Sequence, residues 1–141
     1  MEAVIFTGLQ GSGKSSFYKE RFFSTHMRIS LDVLRTRNRE ERLFALALET
    51  QQRFVIDNTN PTRADRAKYI NRSKEAGFRV VGYYFRSKVE ECLQRNKSRT
   101  DAVPEVAILA TAKKLEIPVL DEGFDELLYV RIADEQFVVE E

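Results

Sequence analysis

The chain has 141 residues and a mass of 16.4 kDa, which predicts a single domain over residues 1–141. Hydrophobic residues make up 43% and charged residues 32%, as in a folded globular protein. No apolar run approaches the roughly 20 residues that span a bilayer, and no basic segment opens the chain as in a secretory signal. The single cysteine and single histidine exclude an intramolecular disulfide and a multi-cysteine or paired-histidine metal centre. These features predict a cytoplasmic protein that contacts no membrane.

The charge is unevenly distributed along the chain. Residues 1–100 carry 20 Lys and Arg against 11 Asp and Glu, whereas residues 101–141 carry 3 against 11. This polarity is compatible with a positive face for a polyanion, and equally with solvated surface charges that happen to fall unevenly.

Short apolar runs alternate with longer helical stretches. Strands are predicted at residues 3–6, 27–30, 54–56, 79–85 and 127–132, with a short edge strand at 137–139. Helices are predicted at residues 14–23, 33–52, 61–76, 87–98 and 104–115. For the third helix, Asn60 suits the N-cap, Pro61 the first helical position and Gly77 the stop. The alternation predicts an α/β fold with a mostly parallel, about five-stranded sheet and helices on both faces.

The segment from Gly8 to Ser15 fits the phosphate-loop pattern G-x-x-x-x-G-K-[ST] in full, between a predicted strand and a predicted helix. Backbone N–H groups of such a loop wrap a phosphate, and the helix that follows presents its positive N-terminus. Lys14 is expected to reach the β- and γ-phosphates, and the Ser15 hydroxyl to bind Mg²⁺. The predicted ligand is ATP or another nucleoside triphosphate. The predicted phosphate-binding residues are Gly8, Gly11, Ser12, Gly13, Lys14, Ser15 and Ser16.

The remaining motifs favour a kinase. The guanine signature N-K-x-D is missing, since the nearest string, Asn96 to Arg99, ends in the wrong charge. A kinase needs an activated acceptor hydroxyl and cations for the transferring group, and ligands of a parallel sheet bind at the carboxyl ends of its strands. Candidates therefore follow three predicted strands.

The first candidate pair is Asp32 and Arg35, which would share a helix face and hold a hydroxyl and a phosphate, unless Asp32 is only an N-cap or a local ion-pair partner. The second segment begins at Asp57, whose carboxylate could meet Mg²⁺ directly or through water. It continues with acceptor-binding candidates in what is also a well-capped turn: Asn58, Thr59 and Arg63.

The third candidate pair is Arg95 and Arg99, spaced i, i+4 so that one helical face would present both from a lid over residues 95–103. Two such arginines can clamp phosphates and stabilise transition-state charge, although the same spacing is common on a solvated basic face.

Together the phosphate loop, the Ser30–Arg35 stretch, the Ile56–Pro61 string and the Arg95–Arg99 segment resemble, over about residues 3–132, the kinase domain of the polynucleotide 5′-hydroxyl kinase family of phage and animal end-healing enzymes. The resemblance implies an ATP- and Mg²⁺-dependent transferase that phosphorylates the 5′-hydroxyl ends of DNA or RNA in nucleic-acid repair.

By this resemblance Asp32 takes the acceptor proton and Arg35 binds the neighbouring acceptor phosphate, while Arg95 and Arg99 act on the donor. The chain departs from the family in having Leu31 and Val33 beside the aspartate, and it shows no phosphatase signature, so a phosphatase or a ligase would act separately. Two alternatives stay open. One is a small-molecule kinase on the same scaffold that acts on a sugar, nucleoside or peptidoglycan precursor. The other is a nucleotide-binding regulatory module.

Overall fold

A computed structural model describes all 141 residues. The strands are β1 Glu2–Thr7, β2 Met27–Ile29, β3 Phe54–Ile56, β4 Arg79–Phe85, β5 Glu126–Ala133 and β6 Gln136–Glu140. The helices are α1 Lys14–Arg21, α2 Leu31–Leu34, α3 Arg37–Thr50, α4 Arg63–Glu75, α5 Val89–Lys97 and α6 Glu105–Lys114, with a 3₁₀ turn at Leu120–Glu122. No helix has both the length and the apolar character needed to cross a membrane.

The six strands form one sheet in the order β2-β3-β1-β4-β5-β6. The first five strands are parallel, and β6 pairs antiparallel with β5 as an edge hairpin. The predicted α/β fold with a mostly parallel sheet is therefore confirmed, with the short edge strand as its sixth member. Because β1 to β4 are parallel, the loops that follow them gather at one edge of the sheet.

The sheet is buried on both faces. Alternate residues of β1 point to opposite sides, so Ala3 and Ile5 join one apolar cluster and Val4 and Phe6 join the other. The first cluster is covered by α3 and α4 through residues such as Phe44, and the second by α1. A third, smaller cluster of Leu9, Cys92 and Ile108 anchors α5 and α6 against the phosphate loop.

All five predicted helices differ from the structure by at least one residue, and two of them differ in a way that affects the site. The stretch predicted as one helix over 33–52 is divided, because Arg35 ends α2 with φ 72° and Thr36 begins α3 by accepting a hydrogen bond from the Arg39 N–H. The helix predicted from residue 61 begins at Arg63, so the prediction of Asn60 as its N-cap was wrong.

Thr62 is the N-cap of α4. It forms a reciprocal capping box with Asp65, in which each side chain accepts a hydrogen bond from the other residue's backbone N–H. The Asn60 side chain instead donates to the Phe6 carbonyl, 2.8 Å away, and so ties this loop to the end of β1.

Candidate active site

The phosphate loop joins β1 to α1 with two glycines in the left-handed region. Gly11 has φ 82°, and a Cβ there would stand 2.6 Å from the Cys92 carbonyl oxygen. Gly13 has φ 99° and is the N-cap of α1 without any side-chain cap. The first N–H groups of α1 therefore have no side chain covering them, which leaves them available to an anion.

Five of the seven residues predicted to bind phosphates line the cleft beside this loop: Gly11, Gly13, Lys14, Ser15 and Ser16. Gly8 and Ser12 belong to the same loop but do not line the cleft. Gly8 leaves room for the Ser12 Oγ, which a Cβ on Gly8 would approach to 2.7 Å, and Ser12 Oγ is buried without a hydrogen-bond partner. Gly8 and Ser12 therefore pack within the loop rather than against the cleft.

Lys14 is buried at the floor of the cleft. Its Nζ donates to the Leu9 carbonyl oxygen at 2.9 Å, so two of its three N–H donors remain for phosphate oxygens. Burial lowers the pKa of Lys14, and the carboxylates of Asp57 and Asp32 oppose this shift. Asp32 and Lys14 both line this cleft.

Ser15 and Asp57 form an oxygen pair at the ends of neighbouring strands. The Ser15 hydroxyl donates to Asp57 Oδ2 at 3.3 Å, and Asp57 is only 3% exposed. One hydroxyl and one carboxylate are hard oxygen donors, which together with nucleotide phosphates suit Mg²⁺; this ion typically binds one or two carboxylates and substrate phosphates rather than an all-protein cage. The residues therefore fit the metal that the phosphate loop implies.

Sequence reasoning missed Arg28, which lies in the middle of β2. Its Nε donates to Asp57 Oδ2 at 2.8 Å and its Nη2 donates to Ser15 Oγ at 2.9 Å. A basic residue flanked by two apolar ones in a short strand was the only available signal, and it does not name a partner 29 residues away. Arg28 provides the counter-charge of the buried aspartate.

Asp32 is an exposed carboxylate of the cleft that has no partner within the protein. The N-cap of α2 is Ser30, which accepts from the Asp32 N–H at 3.3 Å, so the Asp32 side chain is not the cap. The Asp32 carboxylate has neither an ion pair nor a hydrogen bond within the protein, and it lines the cleft. It is therefore free to accept a proton or a hydrogen bond from a ligand hydroxyl.

Two basic residues predicted to bind the acceptor point elsewhere. Arg35 does not share a helical face with Asp32, because the helix ends at this residue, and it does not line the cleft. Arg63 forms an ion pair with Asp121 at 3.2 Å, also outside the cleft. Arg37 and Lys68 line the cleft in their place.

Arg37 and Lys68 meet at the buried carboxylate of Glu40, which is 1% exposed. Arg37 Nη1 lies 3.3 Å and Lys68 Nζ 3.8 Å from Glu40 Oε1. Tyr69 donates its hydroxyl to the same oxygen at 2.8 Å, and burial together with this bond raises the pKa of Tyr69. Glu40 is therefore the shared partner of a basic cluster formed by Arg37 and Lys68.

The segment from Asp57 to Asn60 is fixed by its own hydrogen bonds. Asn58 Oδ1 accepts from the Leu31 N–H at 2.9 Å, and Asn58 Nδ2 donates to Glu40, so this side chain joins α2 to α3. The Thr59 carbonyl accepts from the Gly8 N–H at 3.1 Å. Asn58 and Thr59, predicted to bind the acceptor, thus line the cleft while holding its walls together.

Arg95 and Arg99, the two lid arginines, both line the cleft, but only Arg95 lies on a helix. Arg95 lies on α5 and donates to the Gly11 carbonyl at 3.3 Å; Arg99 follows the end of α5 and pairs with Asp101 at 3.2 Å. Asn96 holds the lid by a two-way bond: its Nδ2 donates to the Val103 carbonyl at 2.8 Å, and its Oδ1 accepts from the Val103 N–H at 3.0 Å. A polar residue on the buried face of an amphipathic helix was the signal that could have identified it.

These groups surround one cleft of about 820 Å³, and only three of its 24 lining residues are hydrophobic. The cationic lining residues outnumber the four acidic ones two to one. They are Lys14, Lys19, Arg28, Arg37, Lys68, Arg95, Arg99 and Lys114. Such a lining selects for a highly anionic ligand, as a nucleoside triphosphate is.

The fold and this loop define a class, the P-loop kinases: a parallel sheet whose first strand leads through a glycine-rich phosphate cradle into a helix. The profile of the AAA domain family matches residues 4–118, and the chain belongs to this family. It is a P-loop kinase of that type, a class that binds ATP and generally uses it with Mg²⁺.

Among curated proteins, the bifunctional polynucleotide phosphatase/kinase of Schizosaccharomyces pombe is 27% identical over 129 residues, covering 87% of this chain and 32% of the relative. The L-seryl-tRNA(Sec) kinase of Methanococcus maripaludis is 26% identical over 136 residues, covering 82% and 52%. The chain thus spans a third to a half of the length of these relatives. The first similarity confirms the resemblance that the motifs predict.

Among solved structures, a gluconokinase from Sinorhizobium meliloti superposes with a TM-score of 0.66 at 18% identity, covering 94% of this chain and 83% of that chain. At this identity the superposition establishes the fold alone.

Proposed function

We propose that this protein is an ATP-dependent polynucleotide kinase that transfers the γ-phosphate to the 5′-hydroxyl end of DNA or RNA. The observation that carries the proposal is an unpaired carboxylate, Asp32, in the same cleft as a complete phosphate loop and beside the basic cluster of Arg37 and Lys68. A base for a hydroxyl, a donor cradle and additional cations for an anionic acceptor are the three parts that this reaction requires.

On the donor side, the backbone of the phosphate loop and the Lys14 ammonium hold the triphosphate. Arg95 and Arg99 close from the lid, where their charges stabilise the transferring phosphoryl group. Arg99 pairs with Asp101 through Nε and Nη2, and its remaining N–H donors are available to a phosphate oxygen. Ser15 and Asp57 would hold Mg²⁺, which would supply further neutralisation of the phosphate charge.

On the acceptor side, the 5′-oxygen attacks the γ-phosphorus in line with the bond to the β–γ bridging oxygen. The new P–O bond forms as the old one breaks, the hydroxyl proton passes to the Asp32 carboxylate, and ADP leaves. Catalysis is thus positioning combined with electrostatic stabilisation.

The class of acceptor is inferred from the cleft cations that are not assigned to the donor triphosphate. Arg37 and Lys68 lie 3.3 Å and 3.8 Å from Glu40 Oε1, and both line the cleft. Phosphates next to the 5′ end of a nucleic acid are suitable partners, and contacts to them carry no sequence preference. The similarity to a polynucleotide phosphatase/kinase over 87% of this chain supports the same acceptor.

A second candidate is phosphorylation of a hydroxyl on an aminoacylated tRNA. The similarity to an L-seryl-tRNA(Sec) kinase favours it, and the basic cluster would serve an RNA acceptor in either case.

The test is transfer of label from γ-labelled ATP and Mg²⁺ to a 5′-hydroxyl oligonucleotide, in DNA and RNA versions. The same oligonucleotide with a 5′-phosphate is the matched acceptor control, and Lys14→Ala is the enzyme control. Label is expected only on the 5′-hydroxyl oligonucleotides and only with the unsubstituted protein. No label on any oligonucleotide, with label on seryl-tRNA or on a sugar or nucleoside, would contradict the proposal and identify the alternative.

A further inference from the structure

Arg28 stands between the two oxygen donors of the metal site. Its Nε donates to Asp57 Oδ2 at 2.8 Å and its Nη2 to Ser15 Oγ at 2.9 Å, while Ser15 donates to the same aspartate oxygen. Asp57 is almost fully buried, whereas the Arg28 side chain is 23% exposed and lines the cleft. The permanently charged Arg28 guanidinium therefore donates to both the Ser15 hydroxyl and the Asp57 carboxylate.

The Ser15 hydroxyl brings this cation close to the oxygen that a metal would use. A hydroxyl has one proton and two lone pairs. The Ser15 proton is directed to Asp57 and one lone pair accepts from Arg28, so the second lone pair remains for a metal only 2.9 Å from the guanidinium nitrogen. The same oxygen is the one that the phosphate loop offers to Mg²⁺. A guanidinium stays charged at all physiological pH values, so it repels a dication beside it.

We propose that Arg28 is a resident counter-cation of the metal site: its charge neutralises the buried Asp57 carboxylate and opposes a dication at the Ser15 oxygen. Its side chain borders the open cleft, so it has space to turn away from Ser15. Arg28 thereby sets how strongly Mg²⁺ improves nucleotide binding. The inference concerns the donor site only and holds for any acceptor.

The experiment measures ADP affinity by calorimetry, with Mg²⁺ and with excess EDTA, in the absence of any acceptor. The quantity compared is the metal enhancement, the ratio of the dissociation constant in EDTA to that in Mg²⁺. Arg28→Met removes both donors and keeps an unbranched stem. Because a charge-assisted bond no longer competes with the metal, we expect the enhancement to rise about tenfold.

Two matched variants separate competition from general charge. Lys88→Met removes one positive charge from an exposed position outside the cleft, and its enhancement should equal that of the unsubstituted protein. Arg28→Lys retains the charge, so its enhancement should rise less than that of Arg28→Met. An unchanged enhancement in Arg28→Met, or equal increases in Arg28→Met and Lys88→Met, would overturn the proposal.

A second measurement uses the unsubstituted protein, so its result does not depend on whether a variant folds. The guanidinium ¹⁵N resonances of Arg28 in the unsubstituted protein are followed by NMR during titration with ADP alone and then with Mg²⁺ and ADP. Because a dication held by Ser15 and Asp57 would lie beside the Arg28 guanidinium, we expect the Arg28 signal to shift on addition of Mg²⁺. A signal that stays in place at saturating Mg²⁺ and ADP would overturn the proposal.

Discussion

Replacing Arg66 by Met tests how the loop between β3 and α4, residues 57–62, is held in place. Arg66 is fully buried and pairs with Glu122, whose side chain is 2% exposed, through two bonds of 2.8 and 2.9 Å. A third bond, from Arg66 Nη1 to the Asn60 carbonyl at 2.9 Å, connects this pair to the loop that carries Asp57. The substitution leaves the Glu122 charge buried without a partner, which costs about 3–5 kcal/mol. For a chain of this size, that lowers the melting temperature by roughly 9–15 °C.

The assay is urea denaturation and thermal unfolding of the single variant Arg66→Met and of the double variant Arg66→Met/Glu122→Gln. In the double variant the buried charge is gone, while the introduced glutamine can still accept from the Val119 N–H through its amide oxygen, as Glu122 does at 3.0 Å. The double variant is therefore expected to recover at least half of the lost stability. A loss below about 1 kcal/mol in the single variant, or a double variant no more stable than it, would refute the reasoning.

Three further predictions concern catalysis, the lid and pH. Asp32→Asn should lower the transfer rate by about 10²–10⁴-fold, because the proton acceptor is lost, while ADP affinity measured by calorimetry stays unchanged; near-normal transfer would exclude Asp32 as the base. Asn96→Ala should lower transfer about tenfold with a small change in melting temperature, because two bonds worth about 1–3 kcal/mol together hold only the lid; full activity would show that the lid does not depend on this bond. Burial lowers the pKa of His26 below its ordinary 6.5, against the opposing bond to Glu2. The unfolded chain then binds a proton at a pH where the folded protein does not, so stability should fall as the pH drops below 6.5. His26→Gln should flatten that part of the stability–pH profile, and an unchanged slope would contradict this origin.

The strands and the phosphate loop could be predicted from sequence because their signals are local. Phe54–Ile56 and Arg79–Phe85 are continuous apolar or branched runs, and their bounds in the structure are the predicted ones. The phosphate loop needs only glycines, a lysine and a serine at fixed spacing between a strand and a helix. Lys14, Ser15 and Asp32 accordingly line the cleft as expected.

Errors arose where two local signals compete. Asn60 followed by Pro61 is typical of a helix start, yet Thr62 with Asp65 forms the stronger reciprocal cap two residues later. The Asn60 side chain is then free to bond to β1, and its backbone takes φ 43°. Similarly, Thr36 starts a new helix after Arg35, so spacing arguments that assumed one continuous helix do not apply to Arg35.

The residues that sequence reasoning missed act through partners far along the chain. Arg28 meets an aspartate 29 residues away, and Arg66 meets a glutamate 56 residues away. Neither pairing follows from periodicity, because both depend on the order of strands in the sheet and on the loop after α6. For the same reason Arg37, rather than Arg35, lies in the cleft.

The measurement that tests the central claim most directly is the ratio of kcat/KM for a 5′-hydroxyl oligonucleotide to kcat/KM for the corresponding free nucleoside. Under the proposed function Arg37 and Lys68 engage acceptor phosphates, and two charge-assisted contacts predict a ratio of about 10²–10⁴ that falls as salt is raised. A ratio near one, unaffected by salt, would contradict the account and favour a small-molecule kinase.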